Sequence, residues 1–132
     1  MSAVPMLFDS FEPGCVIGSA TDTIDAPMLA LWAQLYGNPG SPAGAVPMAL
    51  VTPLLMRGYM RVIAPRPPGN VQVRKKIGLL AAPRLGEEVR TEFRCARKEL
   101  RRDRRYVDFT ARGTGEGGRE LFTAEMTIIW AA

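Results

Sequence analysis

Apolar residues crowd most densely between Ala45 and Ala64, AVPMALVTPLLMRGYMRVIA, where Leu50, Leu54, Leu55, Met56, Tyr59, Met60, Val62 and Ile63 leave almost no polar side. A helix that is apolar nearly all round belongs in a core, and each large side chain withdrawn from water contributes ~1.5–3 kcal/mol. The stretch therefore predicts a buried central helix. It is not a membrane span: Arg57, Gly58 and Arg61 interrupt it and Pro53 breaks its first half, whereas a span needs ~20 predominantly apolar residues without central charge. Pro53 either occupies the first turn, with Thr52 as a cap, or kinks the helix.

On the N-terminal side, residues Met1 to Gly14 read as irregular, anchored by Phe8 and Phe11, and Cys15 to Ala20 as a short strand. Thr21, Asp22 and Thr23 offer capping side chains to a helix whose apolar positions Ile24, Met28, Leu31 and Leu35 fall on one face and which ends at Gly37. Asp22 and Asp25 both sit where a helix N-terminus favours negative charge. The segment NPGSPAG, Asn38 to Gly44, holds two prolines and two glycines and is a loop. After Ala64 the period changes from about 3.6 to 2. Val71 to Leu79 alternate with a wet face, as do Val89, Thr91, Phe93 and Cys95 against charged neighbours. A turn near Leu100 to Arg104, a strand over Tyr106 to Arg112, the GTGEGG turn, and a last strand over Glu120 to Trp130 follow. Helix, loop, buried helix and four antiparallel strands make an α+β chain with one sheet curled around one helix.

At 132 residues the chain is expected to form one domain spanning 1–132, small enough that a second subunit would complete any deep cleft. Its 47% hydrophobic and 23% charged residues argue against disorder. The first residues lack the basic start and apolar run of a signal peptide, so a cytoplasmic location is expected, with Cys15 and Cys95 as two free buried thiols. The chain has no histidine, which removes Ser-His and Cys-His nucleophile pairs, most zinc sites and the commonest neutral-pH base. No Asp or Glu lies between Asp25 and Glu87, so a carboxylate base would come from the N-terminal segment or from the sheet. No metal or cofactor is expected.

Particular residues add a family likeness covering about Phe11 to Trp130. FEPG at 11–14, TDTIDAPMLALWAQLYG at 21–37, PPG at 67–69 and PRLGEEV at 83–89, in that order and near that spacing, resemble the MaoC-like acyl-thioester hydratases and dehydratases of the hotdog fold. The resemblance implies a dimer with one continuous sheet and an acyl pantetheine chain running along the subunit boundary beside the start of the central helix. It also implies an Asp and, five residues later, a His as base and acid in the loop before that helix, beneath an oxyanion donor at the helix N-terminus. Aligning Gly37 with the family glycine puts Asn38 and Ala43 at those positions; aligning Asn38-Pro39 with the family Asn-Pro puts Tyr36 and Ser41 there. Neither register restores the dyad.

The candidate site residues follow from that likeness. Asn38 and Ser41 stand at the catalytic loop, where Asn can orient water but cannot accept a proton, or else bond their own backbone. The amides near Val46, Pro47, Met48 and Ala49 are the candidate carbonyl or anion site. Arg94, Arg97, Lys98, Arg101, Arg102, Arg104 and Arg105 supply most of the +4 net charge. Of these, Arg101, Arg102, Arg104 and Arg105 would grip coenzyme A phosphates or an acidic partner, or form a solvated hairpin tip. Nucleic acid is not expected, for no binding motif or interleaved aromatic array is present. The expected function is acyl-thioester binding, as a homodimer or with a related hotdog subunit, by a relative lacking the usual dyad. The alternatives are a thioesterase or dehydratase drawing on Asn38 with Glu87 or Glu88, and a purely structural or regulatory subunit.

Overall fold

The computed structural model describes residues 4–36 and 46–132. Its elements are β1 (Val16–Thr23), α1 (Ala26–Tyr36), a 3-10 turn (Met48–Leu50) running into α2 (Val51–Val62), β2 (Val71–Leu79), β3 (Glu88–Arg101), β4 (Arg104–Thr114) and β5 (Glu120–Trp130), with further 3-10 turns at Phe8–Ser10 and Glu116–Gly118. The five strands form one antiparallel sheet in the order β1-β3-β4-β5-β2. The α+β architecture expected from the sequence is therefore present, with two differences. The first strand joins the sheet beside β3, and β2 crosses to the far edge, beside β5, instead of pairing with its successor.

Period-2 alternation holds wherever α2 covers the sheet. Val89, Thr91, Phe93 and Cys95 of β3, Val107, Phe109 and Ala111 of β4, and Phe122, Ala124, Met126, Ile128 and Trp130 of β5 are buried. Against them α2 turns Val51, Leu54, Leu55, Gly58 and Tyr59, the i, i+3, i+4, i+7, i+8 stripe of an amphipathic helix. The expectation of a helix buried on every side is thus corrected: Met60 is 53% exposed, Arg57 and Arg61 point outward, and the sheet covers one face. The helix is also shorter than Ala45–Ala64. Pro53 does sit in its first turn, where its missing N–H costs nothing, but Thr52 is inside the helix and Leu50 precedes it without a side-chain cap.

Upstream, Thr21, Asp22 and Thr23 belong to β1, and α1 starts later than expected, with Asp25 Oδ1 accepting from the Met28 amide at 2.8 Å. Ile24, buried at the strand–helix junction, is not helical, so counting the apolar face from it misassigned the stripe. Met28 and Trp32 pack on the core while Leu31 and Leu35 are exposed. On β2, Val71 and Val73 are about half exposed, because Val73 falls in a bulge and no strand pairs beyond this edge among the described residues.

The end of the sheet beyond the α2 C-terminus is closed by aromatic packing. Phe11 meets Phe109 and Trp130 edge-on at 5.2 and 4.9 Å, and Trp130 Nε1 donates to Met6 O at 2.7 Å. Phe11 anchors the N-terminal arm as expected. Of the two cysteines, which are free, Cys95 is buried and Cys15 is exposed, contrary to the expectation for it.

Gly58 fixes how close α2 lies to β3, since a Cβ there would stand 3.0 Å from the Phe93 ring. Gly58→Leu is expected to lower stability by about 2 kcal/mol through overpacking, despite the better helix propensity of Leu. Urea denaturation compares the two proteins.

Candidate functional site

The start of α2 follows from its sequence. Pro47 fixes an extended backbone before the turn, and the first internal bond there runs from Leu50 N to Pro47 O at 3.1 Å. The amides of Met48 and Ala49 precede that bond, so they are the leading donors of this helix, with the partial positive charge of the helix start behind them. Both residues are exposed, while Val46 is buried. Pro47, included among the expected donors, has no N–H and contributes shape alone. Asn38, Ser41 and Ala43 lie outside the described residues.

Each described carboxylate considered as a base already has a structural partner or an exposed position. Asp22 faces Arg57 and Arg61 of α2 at 3.5 and 3.7 Å, so it pairs with the helix flank and does not cap α1. Asp25 is the cap of α1. Glu88 is exposed at the start of β3. Glu87 is 1% exposed, and its Oε1 accepts from Arg84 N at 2.9 Å and from an Arg119 guanidinium nitrogen at 2.6 Å, while Oε2 accepts from Glu116 N at 2.9 Å. Burial pushes the Glu87 carboxyl up, but the bonds from Glu116, Arg84 and Arg119 and the Arg119 charge outweigh it and hold the carboxyl below its ordinary value. Gly115 leaves the room this carboxylate fills. Glu87 pins the Pro83–Glu87 turn to the loop before β5 and is not a free base.

The basic cluster sits on the β3–β4 hairpin. Arg102 and Asp103 both have positive φ, 51° and 64°, the backbone of a two-residue type I′ turn, whose twist matches the strands it joins. Arg101 stacks on the Tyr106 ring at 4.5 Å, and an open hollow of about 580 Å³ is lined by Arg101, Arg102, Arg104 and Tyr106, with no carboxylate among them. Arg105 turns away to bond Ala131 O. Arg94 and Arg97 are already paired, with Glu92 and Asp108, both at 3.1 Å.

The two expected substrate-binding groups are not neighbours in one chain. Arg57 and Arg61 meet Asp22, which pairs with Val89; Val62 meets Gly18, which pairs with Phe93; hence α2 runs in the direction of β3. Arg101 lies eight residues beyond Phe93, roughly 25 Å further along the strand, while Met48 and Ala49 lie toward the opposite end. Sequence reasoning missed Tyr106 as the platform for Arg101, and Asp22 as the counter-ion of α2. The signal for Asp22 was present: Arg57 and Arg61 are four residues apart on a helix with no acid of its own.

The fold matches solved structures over nearly the whole described chain. The chain has the hotdog fold. It is similar to the R-hydratase PhaJ1 from Pseudomonas aeruginosa, with TM-score 0.79 and 17% identity over 96% of this chain and 86% of that one. It is likewise similar to a MaoC-like dehydratase from Rhodospirillum rubrum, with TM-score 0.78 and 15% identity over 94% and 96%. A Streptococcus mutans protein solved with acetyl CoA bound gives TM-score 0.60 and 16% identity over 93% and 86%. No protein-family model matches the sequence. No curated protein matches it. Among the described residues no group of three or more His, Cys, Asp or Glu side chains could hold a metal, and no helix is long and apolar enough to cross a membrane.

Because the folded Glu87 carboxyl lies below its ordinary 4.5, its contribution is fully present above that pH and is lost as pH falls through the lower folded value. Glu87→Gln is expected to cost about 3 kcal/mol at pH 7, where it leaves Arg119 half-buried without its counter-ion, and the gap to wild type should narrow in acid. Thermal melts across pH 3–7, with both proteins in the same buffers, measure that gap.

Proposed function

We propose that this protein binds an acyl thioester at a boundary between two hotdog chains, as a homodimer or with a related subunit, and that it lacks the Asp/His proton-transfer pair of MaoC-like hydratases. The observation that carries the reading is the helix start at Met48 and Ala49, two exposed residues whose amides precede its first internal bond. Two converging N–H groups at a helix start polarise a thioester carbonyl and stabilise the negative oxygen of an enolate or tetrahedral centre. The bound acetyl CoA of the Streptococcus mutans structure supports the ligand class.

The division of the site between chains has a geometric basis. The Val71 end of β2 lies beside Ile129 near the hairpin, and its Leu79 end lies beside Phe122 toward the start of α2. Its outer edge carries half-exposed Val71, Val73 and Leu79 and has no neighbouring strand among the described residues. Antiparallel pairing of β2 with a second β2 about a two-fold axis sets the hairpin end of one sheet next to the helix-start end of the other. Arg101, Arg102 and Arg104 of one subunit then hold the phosphates of a coenzyme A whose thioester reaches Met48 and Ala49 of its partner. In this reading the role assigned to Asn38 and Ser41 is orientation of water, since neither side chain accepts its proton. The binding role is favoured over a carboxylate-driven thioesterase or dehydratase because Glu87, Asp22 and Asp25 are committed elsewhere, while Glu88 is a solvent-exposed residue at the start of β3.

Light scattering should give a dimer at micromolar concentration, and a thermal-shift series should show acetyl-CoA raising the melting temperature more than an equimolar RNA control. Arg101→Ser, Arg102→Ser and Arg104→Ser combined should weaken coenzyme A binding about tenfold or more and flatten its salt dependence. A monomer, or affinity unchanged by the triple substitution, removes the shared site.

Wild type should hydrate a short enoyl-CoA negligibly, since proton transfer by positioned groups accounts for about 10²–10⁴-fold in rate. Turnover that survives Asn38→Ala would show that another acid and base exist. Asn38→Asp with Ala43→His restores both groups at the family spacing and is expected to raise activity above wild type.

A further inference from the structure

We propose that Cys15 and Cys95 form a reversible disulfide that clamps the N-terminal arm to β3. Eighty positions apart in sequence, they are cross-strand partners in the fold: Gly14 N donates to Cys95 O at 2.7 Å and Cys95 N donates to Cys15 O at 3.1 Å. Gly14 has φ +86°, so Gly14 and Cys15 together oppose Cys95 in a glycine-led bulge, the left-handed residue being one that only glycine adopts freely. The bond from Cys95 N to Cys15 O makes Cys15 the residue that faces Cys95 across this bulge, on directly adjacent segments of backbone. The next pair along, Val16 and Arg94, is exposed on the outer face, so alternation places Cys15 on the inner face with Cys95.

The two thiols have unequal access, which sets the order of reaction. Cys15 is exposed and Cys95 is buried, its Sγ 3.8 Å from Arg97 O. Burial also pushes the Cys95 thiol up, so it is the slower nucleophile. With a small disulfide oxidant such as glutathione disulfide, the Cys15 thiolate attacks one sulfur, its Sγ–S bond forms, the glutathione S–S bond breaks and one glutathione thiolate leaves and takes up a proton. Cys95 then gives up its proton, attacks Cys15 Sγ and expels the second glutathione. Two electrons pass to the oxidant and both protein thiol protons end on glutathione. The bond ties down the arm that carries Phe11 into the core and Pro13 into the wall of an open groove of about 630 Å³ shared with Arg97, Lys98 and Arg101.

The test incubates the full chain, folded, with glutathione disulfide. Expected are loss of both titratable thiols, a monomer lighter by two hydrogens, a non-reduced digest joining the peptides of residues 15 and 95, and a melting temperature raised by about 5 °C or more that dithiothreitol reverses. Cys15→Ser, a change at an exposed position, should stay folded and keep Cys95 reduced. The proposal is overturned if the wild type retains Cys95 as a free thiol, whether Cys15 is unmodified, carries glutathione or links two chains. It is equally overturned if the bridge forms and the melting temperature does not rise.

Discussion

At Gly58 α2 lies close against β3: a Cβ there would stand 3.0 Å from the Phe93 ring, tighter than an ordinary contact. Interiors packed to the density of organic crystals leave little slack, so this single approach sets the height of the helix over the whole inner face. Leu54 and Leu55 then reach the sheet on one side of Gly58 and Tyr59 reaches Phe109 on the other, with ring centroids 6.2 Å apart. The position and direction of the helix start follow from the same seating. The candidate carbonyl donors are therefore positioned by the core packing of the helix.

Both ends of this core are tied by groups that a hydrophobicity profile does not rank. At the helix-start end, Glu87 gathers two backbone amides and the Arg119 guanidinium around one carboxylate, with Gly115 vacating the space it needs. A buried charge survives only when it is paired and bonded, and here the donors come from two separate turns, Arg84 from one and Glu116 and Arg119 from the other. At the hairpin end the N-terminal arm returns over the sheet. Met6 N bonds Pro65 O, Phe8 N bonds Ala132 O, and Lys98 reaches Phe8 O while lying 4.7 Å from its ring.

Charge and apolar surface are distributed so that the groups of the proposed site lie toward opposite ends of one chain. Arg101, Arg102 and Arg104 of the hairpin have no ion pair among the described residues, the helix start lies toward the opposite end, and the half-exposed valines of β2 line the edge between those ends. A two-fold axis through that edge is an economical way to satisfy all of these at once. Exposed strand edges with apolar residues are otherwise a liability, and the arginine hollow gains affinity for an anion only where a ligand reaches both groups.

The sequence by itself determined the elements and their faces where one physical signal acted alone. Period-2 alternation marked β3 and β5, the apolar run marked α2, and the loss of histidine and of mid-chain acids closed off most catalytic chemistries. It also carried the motif order from which the hotdog fold was read. Only the tertiary structure decided what those faces meet. Strand order is such a case, because β2 pairs with β5 through contacts that no local pattern encodes. The roles of Asp22, Glu87 and Cys15 are others: an Asp before a helix caps it or pairs with a neighbour according to where the chain turns. In this fold β1 continues to Thr23 and carries Asp22 to Arg57 and Arg61. The exposure of Leu31, Leu35 and Met60 likewise depends on how much sheet lies over each helix, a quantity set by packing between distant segments and not by the spacing of residues along any one of them.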